Sequence, residues 1–545
     1  MKKIIFILGL AAVVLGTSCS DVLDLNPADR FSPATVWSTT TTADKYVIGL
    51  YSIFGANTEM RGGDAYASPR LSDAYSDILK STSWNQYNHN FNATLLQETA
   101  FNSNSAGAFE CWSSHYDRFL RDAAEFGRKF GEDWLKIRIA EVRFCRAYAY
   151  FMLCRVYGGG ILRTEVDGPE QNDKARSTEE ECWGFIINEL KELAPDLPLK
   201  WDSDNSGRAT QKAAYGLLSR VALYAEKWDV AAQAARDCAT AEGNLDLSKN
   251  GYAKIFELGI NSPEVLFAVE FKSSVIDHAY DAYVRPSGDT KELGKQVYSG
   301  FVPTSELVDS YEMAGDGGNF SWEKHGKDPY ANREPRFYAT ILYNGADWMG
   351  RKIESFVGGK DGYKAYENAG AAGTTVTGYY LRKYLIDGDK TWVTSGSGQD
   401  WIVLRYAEVL LNKAEALAME NWNKNSAEAL QALNDVRARV GLPARATADK
   451  ETFLEYVRHE RKVELAGEGF RYWDLRRWRL AEKVIDGQNV HGVKISKQSD
   501  GSFTYEQVDA DGGHKRIFYD RYYRFAIPLS ERSNNSLCTN NDGWI

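Results

Sequence analysis

ATQKAAYGLLSRVALYAEKWDVAAQAARDCATAEG, residues 209–243, decides the fold. Apolar residues recur at helical spacing in both halves, and the period breaks at 226–229, so two Ala-rich helices meet at a short turn. Alanine lets antiparallel helices approach closely, and such a hairpin buries its faces only by stacking on further hairpins. The same design recurs outward from it. Upstream, AEVRFCRAYAYFMLCRVYGG (140–159) reads as a helix stopped by glycines and TEEECWGFIINELKELAPDLP (178–198) as one stopped by prolines. Downstream, WIVLRYAEVLLNKAEALAM (401–419) reads as a helix, 421–425 as a turn, and SAEALQALNDVRARVG (426–441) as the partner helix.

The expected fold is mainly α: a TPR-like helical-hairpin scaffold over about 109–241 and 401–483. Between these parts, from about 243 to 400, the helical period fades and nearly half of the 46 glycines appear, interleaved with aromatics. SPEVLFAVEF (262–271) and RFYATILYN (336–344) read as strands, and GGKDGYKAYENAGAAGTTVTGYY (358–380) as loop with short edge strands. A second loop-rich stretch covers 59–105. The scaffold thus carries a large irregular region with short strands, where binding surfaces concentrate.

The N-terminus has its own logic. Lys2 and Lys3 precede an apolar run over 4–15, and Gly16, Thr17 and Ser18 lead into Cys19. This is the layout of an export signal, and the run is far shorter than the roughly 20 apolar residues that span a bilayer. The expectation is a signal peptide over 1–18, a lipidated Cys19, a tether over 19–33 and a body over 34–545. Leu15 stands one place further from the cysteine than a usual lipobox leucine, with Gly16 in its position. Acyl chains on that cysteine, palmitate among them, would hold the protein to a membrane at roughly 0.8 kcal/mol per buried methylene.

A net charge of -10 and the lack of a basic tract exclude a nucleic-acid binder, which needs a cationic face for phosphates. With 15 Trp and 31 Tyr, the chain is richer in amphipathic aromatics than a core of this size needs, which suits half-exposed binding surfaces. The six cysteines beyond Cys19 show no CxxC pair, so neither zinc nor a disulfide framework is expected. His459-Glu460 begins like HExxH, but Val463 takes the place of the second histidine. Asp202, Asp204, Ser206 and Gly207 imitate a calcium loop, yet Ala213 stands where a bidentate Glu is required. That stretch reads as a turn before a helix. No GxSxG, P-loop or GxGxxG is present. The sequence therefore offers no catalytic residue, no metal site and no cofactor.

Several long blocks, in order, carry a resemblance: AEVRFCRAYAYFMLCRVYGG, GRATQKAAYGLLSRVALY, NREPRFYATILYNG (332–345), LRYAEVLLNKAEALA, HERKVELAGEGFRYWDLRRW (459–478) and the closing RFAIPLSERSNNSLCTNNDGW. On these the chain resembles the SusD/RagB-type outer-membrane nutrient-binding lipoproteins of Bacteroidetes over its whole length. The resemblance implies a TPR-containing helical core, a position on the outer face of the outer membrane over a TonB-dependent SusC-type transporter, and non-catalytic capture of a poly- or oligosaccharide for import. The acidic cluster Ser20, Asp21, Asp24 fits the surface-export signals of such proteins. The blocks themselves read as structural: Arg461 and Glu464 on a helix, a break at Gly467 and Gly469, then Asp474 and Arg476, a charged network that locks the helix end. A TPR-type peptide-binding adaptor and a glycoside hydrolase are the competing readings.

A sugar needs an aromatic face to stack on and Asp, Asn or Arg for its hydroxyls. Residues 62–90 supply both: Trp84 beside Asn85, Tyr87 and Asn88, with Asp64 and Arg70 upstream. The resemblance assigns stacking and clamping to Trp84, Arg70 and Asn88, with Asn85 and Asn90 as alternatives to Asn88. It also points to Tyr280 and Tyr283 after the VLFAVEF strand. Trp322, Trp348 and Trp392 stand in Gly- and Asp-rich sequence, which makes a core role less automatic. Trp322 is the candidate among these three.

Overall fold

The computed structural model describes residues 32–56, 59–60, 71–82, 113–165, 173–365 and 374–544. Its scaffold is a run of helices, each packed on the one before: α1 (Ser113–Phe126), α2 (Glu132–Tyr157), α3 (Glu179–Leu193), α4 (Gln211–Tyr224), α5 (Trp228–Thr240), α6 (Tyr406–Arg439) and α7 (Lys450–Glu464). The fold is the TPR-like, mainly α architecture that the hairpin pattern calls for. α4 and α5 join through a tight turn in which Glu226 takes a positive φ of 55° and the Lys227 amide bonds the Ala222 carbonyl. Ala231, Ala232, Ala234 and Ala235 of α5 are buried, so the small side chains do set the close packing. Among the described residues no helix is long and apolar enough to cross a membrane.

Local signals act where sequence places them. Thr178 and Glu181 form a reciprocal capping box at the start of α3. α2 stops at Gly158, φ 79°, and at Gly159 any Cβ would meet the Ser177 carbonyl oxygen at 2.1 Å. The Asp202 side chain accepts the Asn205 amide at 3.0 Å, a turn ahead of the Thr210 cap of α4. Asn421, with φ -164° and ψ 92°, breaks α6 in the expected turn.

Two expectations change. Residues 401–405 are not helix: Trp401–Arg405 is a strand, β4, paired antiparallel with β2 (Val265–Val269). α6 begins only at Tyr406. All five β4 residues are buried, and a continuous apolar run carries no period that separates strand from helix. Residues 336–344 are mostly not strand. Pro335 sits at the first position of a short helix, Pro335–Thr340, where its fixed φ is preorganised, and only Ile341–Leu342 pairs, with Tyr380–Leu381.

The charged network at the end of α7 is real and fully buried. Arg405 Nη1 lies 2.7 Å from Glu464 and 2.9 Å from Glu264, while Arg336 Nη1 reaches Glu464 at 2.9 Å and Glu460 at 2.5 Å. Burial works to raise the Glu464 carboxyl, but Arg439, Arg405 and Arg336 overcome it and hold it well below the usual carboxylate range. Arg461 grips Asp474 of α8 (Arg471–Arg477) through Nε at 2.8 Å and Nη2 at 3.0 Å. Between α7 and α8, the amides of Gly467, Gly469 and Arg471 converge on the Asp73 carboxylate at 2.9, 3.2 and 3.0 Å. That contact ties the N-terminal part of the chain to the scaffold. Arg476 departs from the expected network: it meets no carboxylate among the described residues.

Candidate functional site

The site grows from β1 (Leu79–Ser81) and β3 (Phe301–Pro303), which pair antiparallel although more than 200 residues of chain separate them. Beyond this ladder the Thr82 amide bonds the Gly300 carbonyl at 3.0 Å and its hydroxyl bonds the Ser299 carbonyl at 2.5 Å. The same edge is stitched to the short helix Tyr280–Val284, since Tyr298 N donates to Ala282 O at 2.7 Å and Gly300 N to Tyr283 O at 2.5 Å. These bonds set the Tyr283 and Tyr298 rings 4.8 Å apart with a 35° tilt. Tyr283 is half-buried and Tyr298 is 40% exposed. The two tilted phenols pack on each other and form a partly exposed aromatic platform.

Next to it opens a cavity of about 490 Å³ lined by Ser274, Asp277, Ala282, Lys295, Thr394 and Ser395 among others. The Lys295 ammonium donates to the carbonyls of Trp392 (3.0 Å) and Val393 (2.7 Å), which hold it at the wall. An aromatic platform beside a cavity of this size, lined by both polar and apolar groups, is suited to stack a ring and to hydrogen-bond its hydroxyls. Among the described residues no set of three His, Cys, Asp or Glu side chains comes together to hold a metal ion.

The sequence candidates separate. Tyr283 is in the platform. Tyr280 is buried, with its hydroxyl bonded to the Lys383 carbonyl at 3.0 Å. Trp322 is half-buried in other surroundings: its indole N–H donates to Asp309 at 2.9 Å, and its ring packs on Tyr505 with centroids 6.0 Å apart. Trp348 and Trp392 are buried, and Trp392 also forms part of the cavity wall. They flank the buried Arg285 guanidinium, whose carbon lies 5.2 and 5.3 Å from their ring centroids, and shield its ion pair with Asp281. Cys19, Asp64, Arg70, Trp84, Tyr87 and Asn88 lie outside the described residues. Tyr298, Lys295 and the short helix Trp392–Ser395 were not legible in the sequence as one site, because only the return of the 285–300 loop and the Lys295 bonds to the Trp392 and Val393 carbonyls bring them together.

The fold has clear counterparts among known proteins. A family model described as "SusD family" matches residues 263–544, half of the chain. The chain belongs to the SusD family. A second model, described as "Starch-binding associating with outer membrane", matches residues 21–223. A SusD-like protein of Bacteroides ovatus is 25% identical, with 94% of this chain and 90% of the relative covered. Among solved structures, a SusD-like protein from Bacteroides fragilis superposes with a TM-score of 0.77 at 26% identity, covering 94% of this chain and 99% of the other. A SusD-like carbohydrate-binding protein from the same species gives a TM-score of 0.77 at 23% identity, over 92% and 99%. The SusD architecture therefore accounts for the whole scaffold, with the loop region inserted between α5 and α6.

Proposed function

We propose that this SusD family member is a non-catalytic, cell-surface glycan-binding lipoprotein. In this reading it captures a poly- or oligosaccharide at the Tyr283–Tyr298 face and delivers it to a TonB-dependent SusC-type transporter, while acyl chains on Cys19 keep it at the outer membrane. The observation that carries the reading is the aromatic platform beside the 490 Å³ cavity of mixed polar and apolar lining. The starch-binding, outer-membrane description of the second family model and the carbohydrate-binding relative from B. fragilis support it. Thr82, stitched to Ser299 and Gly300, stands two residues before Trp84 in the chain. That proximity in sequence is why Trp84, with Arg70 and Asn88, is proposed to complete the site, and Asp64, Tyr87 and Trp322 to contribute at its margins. Weak individual sites suffice, since a long polysaccharide bridges many copies on one cell.

Calorimetric titration of the purified protein against a panel of starch, laminarin, fructan, xylan and mucin glycans tests this. The expected result is binding to one glycan, with Tyr283→Ala, Tyr298→Ala and Trp84→Ala each weakening it by about tenfold, near 1.4 kcal/mol. Absence of heat with every glycan would overturn the function. Unchanged binding in the tyrosine variants would overturn the site alone. A reducing-sugar assay on the same samples is expected to show no release.

A further inference from the structure

A second cleft lies on other elements, where the end of α2, the start of α3, the α4–α5 turn and α8 converge. Its volume is about 370 Å³ and it continues into a 240 Å³ cavity through shared Tyr224, Glu226, Arg477 and Arg479. Six cationic and three acidic side chains line it. Four of the cations are matched: Arg524 with Glu179 at 2.5 Å, Arg477 with Glu415 at 2.5 Å, Lys227 with Glu180 at 3.5 Å and Arg479 with Asp520 at 3.7 Å. Arg155 and Arg476 meet no carboxylate among the described residues.

The Arg476 side chain is 4% exposed, yet its Nε and Nη1 find no acceptor there, and only Nη2 is used, on the Tyr523 carbonyl at 2.6 Å. Arg155 Nε is likewise unmatched, and its Nη2 contacts the Met152 sulfur at 3.2 Å. Both guanidiniums lie on the buried Trp473 ring, at 4.1 Å for Arg155 and 4.8 Å for Arg476. Burial, with Arg524 and Arg155 adding to it, depresses Arg476 to about 10, which still leaves it charged at neutral pH. Burial lowers Arg155 against the opposing field of Glu59, a carboxyl that burial and Asp73 in turn push up.

An unmatched buried guanidinium is costly, and its planar fork of donors fits a carboxylate, sulfate or phosphate group. Trp183, Tyr224 and Trp473 supply apolar wall around it. The volume is at the small end of ligand pockets, room for one or two sugar rings. We propose that this cleft is a second binding site, for a small acidic sugar whose carboxylate or sulfate group is held between Arg155 and Arg476.

None of its residues belongs to the Tyr283–Tyr298 face, so its test is independent of the proposed glycan site. Thermal-shift and calorimetric titrations of the full mature protein would use glucuronic acid and glucose 6-sulfate, with glucose and inorganic sulfate as controls. Both acidic sugars are expected to bind and to raise the melting temperature while glucose does neither. Rising ionic strength is expected to weaken the binding, and Arg476→Gln and Arg155→Gln to lower affinity by about tenfold or more. Tyr283→Ala should leave it intact. Arg155→Gln keeps the test decisive if Arg476→Gln fails to fold. No response to either acidic sugar, equal binding in the folded arginine variants, or binding of inorganic sulfate alone would overturn the proposal.

Discussion

Asp309 shows how one residue couples burial to pH. Its carboxylate accepts the Trp322 indole N–H at 2.9 Å, but burial pushes its pKa up to about 6 from the ordinary aspartate value, with Glu306 adding to the shift and Arg333 opposing it. The folded state therefore holds this proton more tightly than the unfolded chain. Its contribution to stability is fully present below about pH 4 and is lost as pH rises through about 6. Asp309→Asn keeps an acceptor for Trp322 and removes the charge. It is expected to leave stability near about pH 4 unchanged and to raise it by on the order of 2 kcal/mol near about pH 7.5, as urea melts at the two pH values will read. At this scale sequence pattern is a weak guide. The flanks of Trp348, Trp392 and Trp322 look alike, and only burial against Arg285 separates the first two from the third.

At the scale of elements, the break between α7 and α8 joins the two ends of the fold. Gly467 and Gly469 both have φ of 77°, which aims their amides at Asp73 and strains any other residue. Their surroundings differ. A Cβ on Gly467 would meet Leu381 at an ordinary 3.5 Å, whereas one on Gly469 would fall 2.4 Å from the Glu59 carboxylate, which is bonded to Ser72. Gly467→Ala is expected to cost about 1–2 kcal/mol, the strain of the left-handed backbone alone. Gly469→Ala should cost more, since Glu59 must also move, and the order of the two denaturation midpoints checks it. The GEG motif announces a helix stop in sequence, but its partner Asp73, almost 400 residues away, does not. The same limit explains the mistaken ends. Residues 401–405 look helical because a short apolar run has no readable period, and the strand forms because β2 offers it an edge.

For the whole molecule, the expected position at a membrane rests on Cys19, and among the described residues no helix is long and apolar enough to cross one. Cys19→Ser is expected to release the protein from the outer-membrane fraction, detected by fractionation and immunoblot, while the purified variant keeps its glycan affinity. By itself the sequence determined the class of the molecule: alanine-spaced hairpins, capping boxes and glycine stops are local signals, each complete within a turn or two of helix, and together they specify the stacked scaffold. It also set apart a Gly- and aromatic-rich insertion, in which Tyr283 is a proposed contact for the ligand. What the tertiary structure alone decided is which residues meet. The Tyr283–Tyr298 pair forms because the 298–300 segment bonds back onto the Tyr280–Val284 helix beside the β1–β3 pairing, and Arg155 and Arg476, which meet no carboxylate among the described residues, share one cleft because α2 and α8 converge. Such contacts are set by the summed packing of the whole chain, and no periodicity of the sequence marks which residues will meet.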